Sequence, residues 1–97
     1  MKLPEMNEHS LQVTFMGKSV HLTPREYGIL RILLQKPGHL FTAEEIYREA
    51  WHAEPYDCHP VISVHIRHLR EKLEPDPSHP SCIKGLWGKG YLFTAGQ

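Results

Sequence analysis

Arg67, His68 and Arg70 lie close together in the segment HPVISVHIRHLREKL, residues 59–73, with Ser63, Val64 and His65 just before them. The set contains no nucleophile beside an ordered base and no pair of carboxylates. Its chemistry is recognition: a guanidinium fork matches a guanine edge or a phosphate oxygen, and a valine methyl meets the methyl of thymine. For that the side chains must share one face, and the spacing supplies it. Ile62, Ile66, Leu69 and Leu73 recur at intervals of four, three and four, which predicts a helix over 60–73 with Pro60 in its first turn. At about 100° per residue the opposite side collects Val64, Arg67, His68 and Glu71, with Ser63, Arg70 and Val61 at its edges. An ordinary amphipathic surface helix has the same stripe, so the rest of the chain has to decide.

The elements around this helix follow from local signals. Residues 1–10 are polar and read as an arm or linker stub, with a short first strand as the alternative. Leu11, Val13 and Phe15 alternate, Met16-Gly17-Lys18 turns, and Val20 and Leu22 alternate again, which predicts a hairpin with one buried face. Thr23-Pro24-Arg25-Glu26 is a capping box with proline at the first helical position, opening a helix from Pro24 to Gln35. Its apolar arc is Tyr27, Ile29, Leu30, Leu33 and Leu34, and Gly28 on the flank is assigned to close packing. Thr42-Ala43-Glu44-Glu45 is a second capping box. It starts a helix with Ala43, Ile46, Tyr47, Ala50 and Trp51 on one side and a solvated Glu44, Glu45, Arg48 and Glu49 side opposite. A loop from His52 to Cys58 leads into the 60–73 helix, and Pro75, Pro77 and Pro80 prevent its continuation. Cys82–Leu86 and Tyr91–Phe93 form a closing hairpin with Trp87-Gly88-Lys89-Gly90 at its tip. The class is therefore α+β: antiparallel sheet, three helices, β-hairpin.

Composition sets the bounds. Ninety-seven residues with 40% apolar content make one small domain. No apolar run approaches the roughly 18 residues of a membrane span and no signal-peptide pattern opens the chain, so a cytoplasmic location and no membrane partner are expected. The formal charge is zero, but residues 1–57 hold 6 Lys/Arg against 8 Asp/Glu while residues 58–97 hold 5 against 3. The positive end is the end with the 60–73 helix. Cys58 and Cys82 match neither a disulfide framework nor a CxxC zinc pattern. Cys58 and His59 with His65 and His68 fit no common closed zinc site, so no metal is expected. Gly85, Gly88 and Gly90 lie in a hairpin and not between a strand and a helix, so no phosphate-cradling loop, cofactor or enzyme activity is predicted.

Four stretches resemble the DNA-binding effector domain of OmpR/PhoB-type response regulators: LTPREYGILRILLQKPG at 22–38, FTAEEIYREAW at 41–51, VHIRHLREKLE at 64–74 and GLWGKGYLF at 85–93. The resemblance spans roughly residues 11–94. It implies a winged helix-turn-helix domain over 11–97, with the 60–73 helix in the major groove of promoter DNA and residues 82–94 as a wing beside it. It also implies a two-component regulator with a receiver domain, a dimer on DNA, and RNA polymerase facing the His52–Cys58 loop. Carried over by position, Arg67, His68 and Arg70 become base or phosphate contacts and His65 a backbone contact; Ser63 and Val64 share their face. Trp51 and Tyr91 become backbone contacts, joined as candidates by Thr42 and Lys72, and the wing offers Lys84, Trp87 and Lys89.

The sequence departs from that pattern where charge matters. Gly85 and Trp87 stand where the family's wing usually has Thr and Arg, Pro60-Val61 replaces a frequent Arg-Thr, and His68 replaces the second of two arginines. An indole cannot supply the guanidinium that a narrow minor groove attracts. Fewer phosphate partners release fewer counterions, so modest affinity with a shallow salt slope is expected. Trp87 is read first as a lid on the core or a partner contact, with a minor-groove wedge as the alternative. The rival function is a winged helix serving protein interaction through Trp87 and Leu86, with little or no DNA binding.

Overall fold

A computed structural model describes residues 3–94 of the chain. Glu5–Asn7 (β1), Gln12–Phe15 (β2) and Lys18–His21 (β3) form an antiparallel sheet in the order β1-β2-β3. Within the described part of the 1–10 stretch, Glu5–Asn7 thus forms the short first strand and not an arm or linker stub: Met6 pairs with Val13. Met16 and Gly17 make a two-residue turn with φ of 53° and 74°, the doubly left-handed geometry that matches strand twist and favours glycine second. Lys18 therefore belongs to the strand, opposite Phe15.

Three helices follow: Pro24–Gln35 (α1), Ala43–Trp51 (α2) and Cys58–Leu73 (α3). The first two have the predicted bounds because both capping boxes close, with Thr23 and Glu26 bonding each other's backbone and Thr42 and Glu45 doing the same. Helix α3 starts two residues before the predicted Pro60. A proline anywhere in the first turn lacks only an N–H that has no intrahelical partner, so Pro60 does not mark the first residue. Ile62, Ile66, Leu69 and Leu73 are buried as predicted, against Ile29, Leu30, Leu33 and Ile46. Gly28 has no role in close packing, since a Cβ there would meet nothing within 4 Å.

Ile83–Leu86 (β4) and Gly90–Phe93 (β5) close the chain as an antiparallel hairpin. It is fastened to the helical body at three places. Phe41 and Tyr91 exchange two backbone hydrogen bonds of 2.8 Å, and the Gly38 amide donates to Phe93 at 2.7 Å. Arg70 Nε donates to the Ile83 carbonyl at 3.0 Å. The third is Glu74, whose buried carboxylate accepts from the amides of Ser81, Cys82 and Ile83 and from the Ser81 hydroxyl. That carboxylate organises the proline-rich connection into β4. Glu74→Ala leaves buried amides without partners, each costing about 1–3 kcal/mol; a loss of about 2–4 kcal/mol in urea denaturation is expected. A change under about 0.5 kcal/mol would mean that water replaces the carboxylate.

Candidate nucleic-acid interface

The outer face of α3 is open. Val61, Ser63, Val64, Arg67 and Glu71 are exposed, Val64 by 42%. The Arg67 side chain is 66% exposed, and its nearest charged partner is Glu71 at 4.0 Å one turn on. Such an exposed pair contributes little, about 0.3–0.5 kcal/mol, so the guanidinium is available to a ligand. Nothing in β4–β5 or the N-terminal sheet covers Arg67 or Val64.

Other residues from the sequence list occupy different places. His68 lies on the flank against α1, with Nδ1 3.7 Å from Glu26 Oε2, rather than on the outer face beside Arg67. Lys72 also turns to α1, where its ammonium donates to Glu26 Oε1 at 2.6 Å and to the His21 carbonyl at 3.1 Å. Lys72 is thereby committed to the protein's own fold and has no free ammonium for a DNA backbone contact, whereas the His68 approach to Glu26 is too long for a hydrogen bond. Glu26 is only 3% exposed. Burial pulls its carboxyl upward, but the Lys72 hydrogen bond, the Thr23 amide and the Lys72 charge outweigh this and hold it below the ordinary value of 4.5. Arg70 spends its Nε on β4 and braces the wing. Its other nitrogens border a groove of about 640 Å³ between α3 and the wing, shared with Ser63, Leu86, Trp87 and Tyr91.

An aromatic column fixes the end of α2. Trp51 stacks on Tyr47 at 4.8 Å, with planes 7° apart, and receives the His65 ring edge-on at 5.5 Å. The Arg25 guanidinium lies 4.5 Å over the Trp51 ring while Nη1 donates to the Ala50 carbonyl. Arg25 was not among the sequence candidates. The available signal was a cation in the first turn of α1, where the helix dipole disfavours it; the terminal carbonyls of α2 account for it. His65 Nδ1 lies 2.8 Å from the Val61 carbonyl. A carbonyl only accepts, so Nδ1 carries the proton, and His65 donates from Nε2 only as the imidazolium.

On the wing, Lys84 and Lys89 are exposed and Trp87 is 99% exposed at the tip. Trp87 is therefore no lid on the core. Tyr91 is half-buried, its ring lying on Gly85, where a Cβ would come within 3.2 Å of the ring carbons. Glycine in place of the family's threonine lets the phenol lie flat along β4. Thr42 uses its hydroxyl oxygen to cap α2, accepting from the Glu45 amide, and keeps only its O–H to offer.

A solvent-facing helix held by two others, with a hairpin clamped alongside, defines a winged helix-turn-helix transcriptional effector domain. The chain belongs to the family described as "Transcriptional regulatory protein, C terminal", whose model matches residues 17–93. It is 47% identical over 75 residues to the uncharacterized transcriptional regulatory protein YcbL of Bacillus subtilis, covering 77% of this chain and 33% of that protein. It is 46% identical over 82 residues to RpaA of Synechocystis, described as a DNA-binding dual master transcriptional regulator, covering 84% of this chain and 34% of that protein. The crystal structure of DrrB, an OmpR/PhoB homologue from Thermotoga maritima, superposes with a TM-score of 0.79 at 31% identity, over 94% of this chain and 41% of DrrB. The chain thus spans about a third of the length of these curated relatives.

Proposed function

We propose that this chain binds a specific duplex DNA sequence as the effector domain of a two-component regulator, with α3 in the major groove and β4–β5 beside it. The observation that carries this is the bare outer face of α3, where Arg67 is free of strong intramolecular partners and Val61 and Val64 flank it. In this arrangement Arg67 reads a guanine edge while Val64 meets a thymine methyl. The free nitrogens of Arg70 bind phosphate, and Ser63 joins them by turning its hydroxyl away from the Pro60 carbonyl to which it donates at 3.1 Å. Trp51 and Tyr91 contact backbone oxygens, and Lys84 and Lys89 supply the wing's charge. His65 joins as the imidazolium. Trp87 lies against the minor-groove side without a charge of its own.

The wider assignment also belongs to this reading: a receiver domain elsewhere in the full-length regulator, a dimer on promoter DNA and a cytoplasmic site of action. RNA polymerase contacts the 52–58 loop, whose Tyr56 is 88% exposed. No helix among the described residues is long and apolar enough to cross a membrane. The matched family is one of transcriptional regulatory proteins, which supports reading the chain as a binding domain and not an enzyme.

In vitro selection of bound duplexes, followed by fluorescence anisotropy on the selected and random sequences, tests the proposal. Arg67→Ala should cost about 1–3 kcal/mol on the selected site and relax preference at one base pair. A uniform loss over all duplexes would move Arg67 to phosphate. Absence of any binding at about 20 mM salt, where screening is weak, would favour the protein-interaction reading instead.

A further inference from the structure

We propose that Glu44, Cys58 and His59 form a three-ligand site for a zinc-type divalent cation, joining the first turn of α2 to the first turn of α3. One carboxylate oxygen, one sulfur and one imidazole nitrogen converge here, all within 4.8 Å of one another. Glu44 Oε2 and His59 Nε2 are 2.7 Å apart. The Cys58 side chain is buried beside them, and both other side chains reach solvent.

The ligand set points to the ion. A thiolate excludes the hard cations calcium and magnesium, which take oxygen donors. Mixed sulfur, nitrogen and oxygen donors suit zinc, and three protein ligands leave the fourth tetrahedral position to water. Zinc holds such donors at about 2.0–2.3 Å, so they sit about 3.3–3.8 Å from each other. Glu44 and His59 then part slightly and Cys58 closes on them, movements that two largely exposed side chains allow. In the free protein His59 Nε2 carries the proton that it donates to Glu44. On binding that proton leaves Nε2, the ring holds its proton on Nδ1 instead, and the Nε2 lone pair goes to the metal. Cys58 releases its thiol proton to solvent.

The local electrostatics favour a cation. Burial, and then the Glu44 carboxylate, push the Cys58 thiol up. A divalent ion between them reverses that unfavourable pairing. The position also has a structural consequence. Helix α3 begins at Asp57 in a left-handed conformation with no side-chain cap, and a metal bridge would pin this uncapped start to α2. Because His59 also borders the wing groove, the bridge would fix the end of α3 that faces the hairpin.

The test uses the reduced 97-residue chain, freed of metal by chelator and studied without DNA, so its outcome is separate from that of the DNA reading. Cobalt(II) should bind with a thiolate-to-metal charge-transfer band and tetrahedral visible bands, displaced by one equivalent of zinc. Cys58→Ser should abolish the charge-transfer band, and Cys82→Ser should leave it unchanged. His59→Ala and Glu44→Gln should weaken zinc by more than the roughly 10–100-fold typical of losing an outer-shell partner. Zinc should raise Tm in the parent and not in these variants. Because Cys58 is buried, far-UV circular dichroism checks that its variant folds; the His59 and Glu44 variants alter exposed groups and keep the test independent of folding. A missing thiolate band, a band that survives Cys58→Ser or disappears in Cys82→Ser, or His59→Ala or Glu44→Gln binding zinc as tightly as the parent would each overturn the proposal.

Discussion

Gly90→Ala is expected to detach the wing, at a cost of about 3–5 kcal/mol and with loss of DNA affinity. A Cβ at Gly90 would lie 2.1 Å from the Phe41 carbonyl oxygen and 3.0 Å from the Thr42 Cα. These are backbone atoms that cannot swing aside as a side-chain end can. Gly90 also has a φ of 151°, which L residues rarely adopt and which costs about 1–3 kcal/mol. Relief requires the Phe41–Tyr91 bridge to open, giving up two backbone hydrogen bonds worth about 1 kcal/mol each. The control is Gly88→Ala, where φ is 69° but the space is empty. Only the left-handed penalty of about 1–2 kcal/mol applies there. Chemical denaturation of both variants, with DNA titration beside it, checks the ordering. Equal costs at the two glycines would show that the bridge does not hold the hairpin.

Lys72→Met should be the most destabilising change of a partly exposed side chain. It leaves the Glu26 carboxylate buried without its 2.6 Å partner. Removing one member of a buried ion pair costs about 3–5 kcal/mol, and Lys72's own partial exposure puts the expected value near 3. For a domain of this size that lowers Tm by about 12–24 °C. Lys72→Met with Glu26→Gln should recover much of the loss, because no charge is then stranded.

The pH dependence has a defined sign. With a folded pKa below 4.5, Glu26 contributes stability that is complete above its unfolded value and fades as pH falls through the folded one. Removing Lys72 raises the folded value. The gap between parent and variant should therefore narrow as the pH is lowered below about 4.5. A gap constant from pH 7 to 3, by denaturation at each pH, would rule out ionised Glu26 as its source.

The same pair shows what a single sequence can and cannot convey. Glu26 was legible as the closing residue of a four-residue capping box because that bond spans only three positions. Its second role, receiving an ammonium 46 residues away, depends on α3 lying across α1. The helical wheel placed His68 outward with Arg67, and its apolar stripe was right. A wheel carries no information on how far a neighbouring helix extends around the flank, and α1 reaches His68. For Trp87 only the core-lid alternative falls, since the side chain is 99% exposed; at a hairpin tip no periodicity distinguishes a residue folded onto the core from one pointing away. The start of α3 was missed because Asp57 makes no side-chain cap, leaving proline as the only local mark.

The sequence alone determined the order of elements from β2 onward, the bounds of α1 and α2, and the buried stripe of α3. Each rests on capping bonds and 3.6-residue periodicity, which are interactions between residues a few positions apart. Tertiary structure decided which cations remain free for a ligand: Arg67 outward, Lys72 bound to Glu26, Arg70 bracing β4, and Arg25 over Trp51. It alone brought Glu44 beside Cys58 and His59. Those outcomes depend on the angle and separation of packed elements, set by the whole core at once.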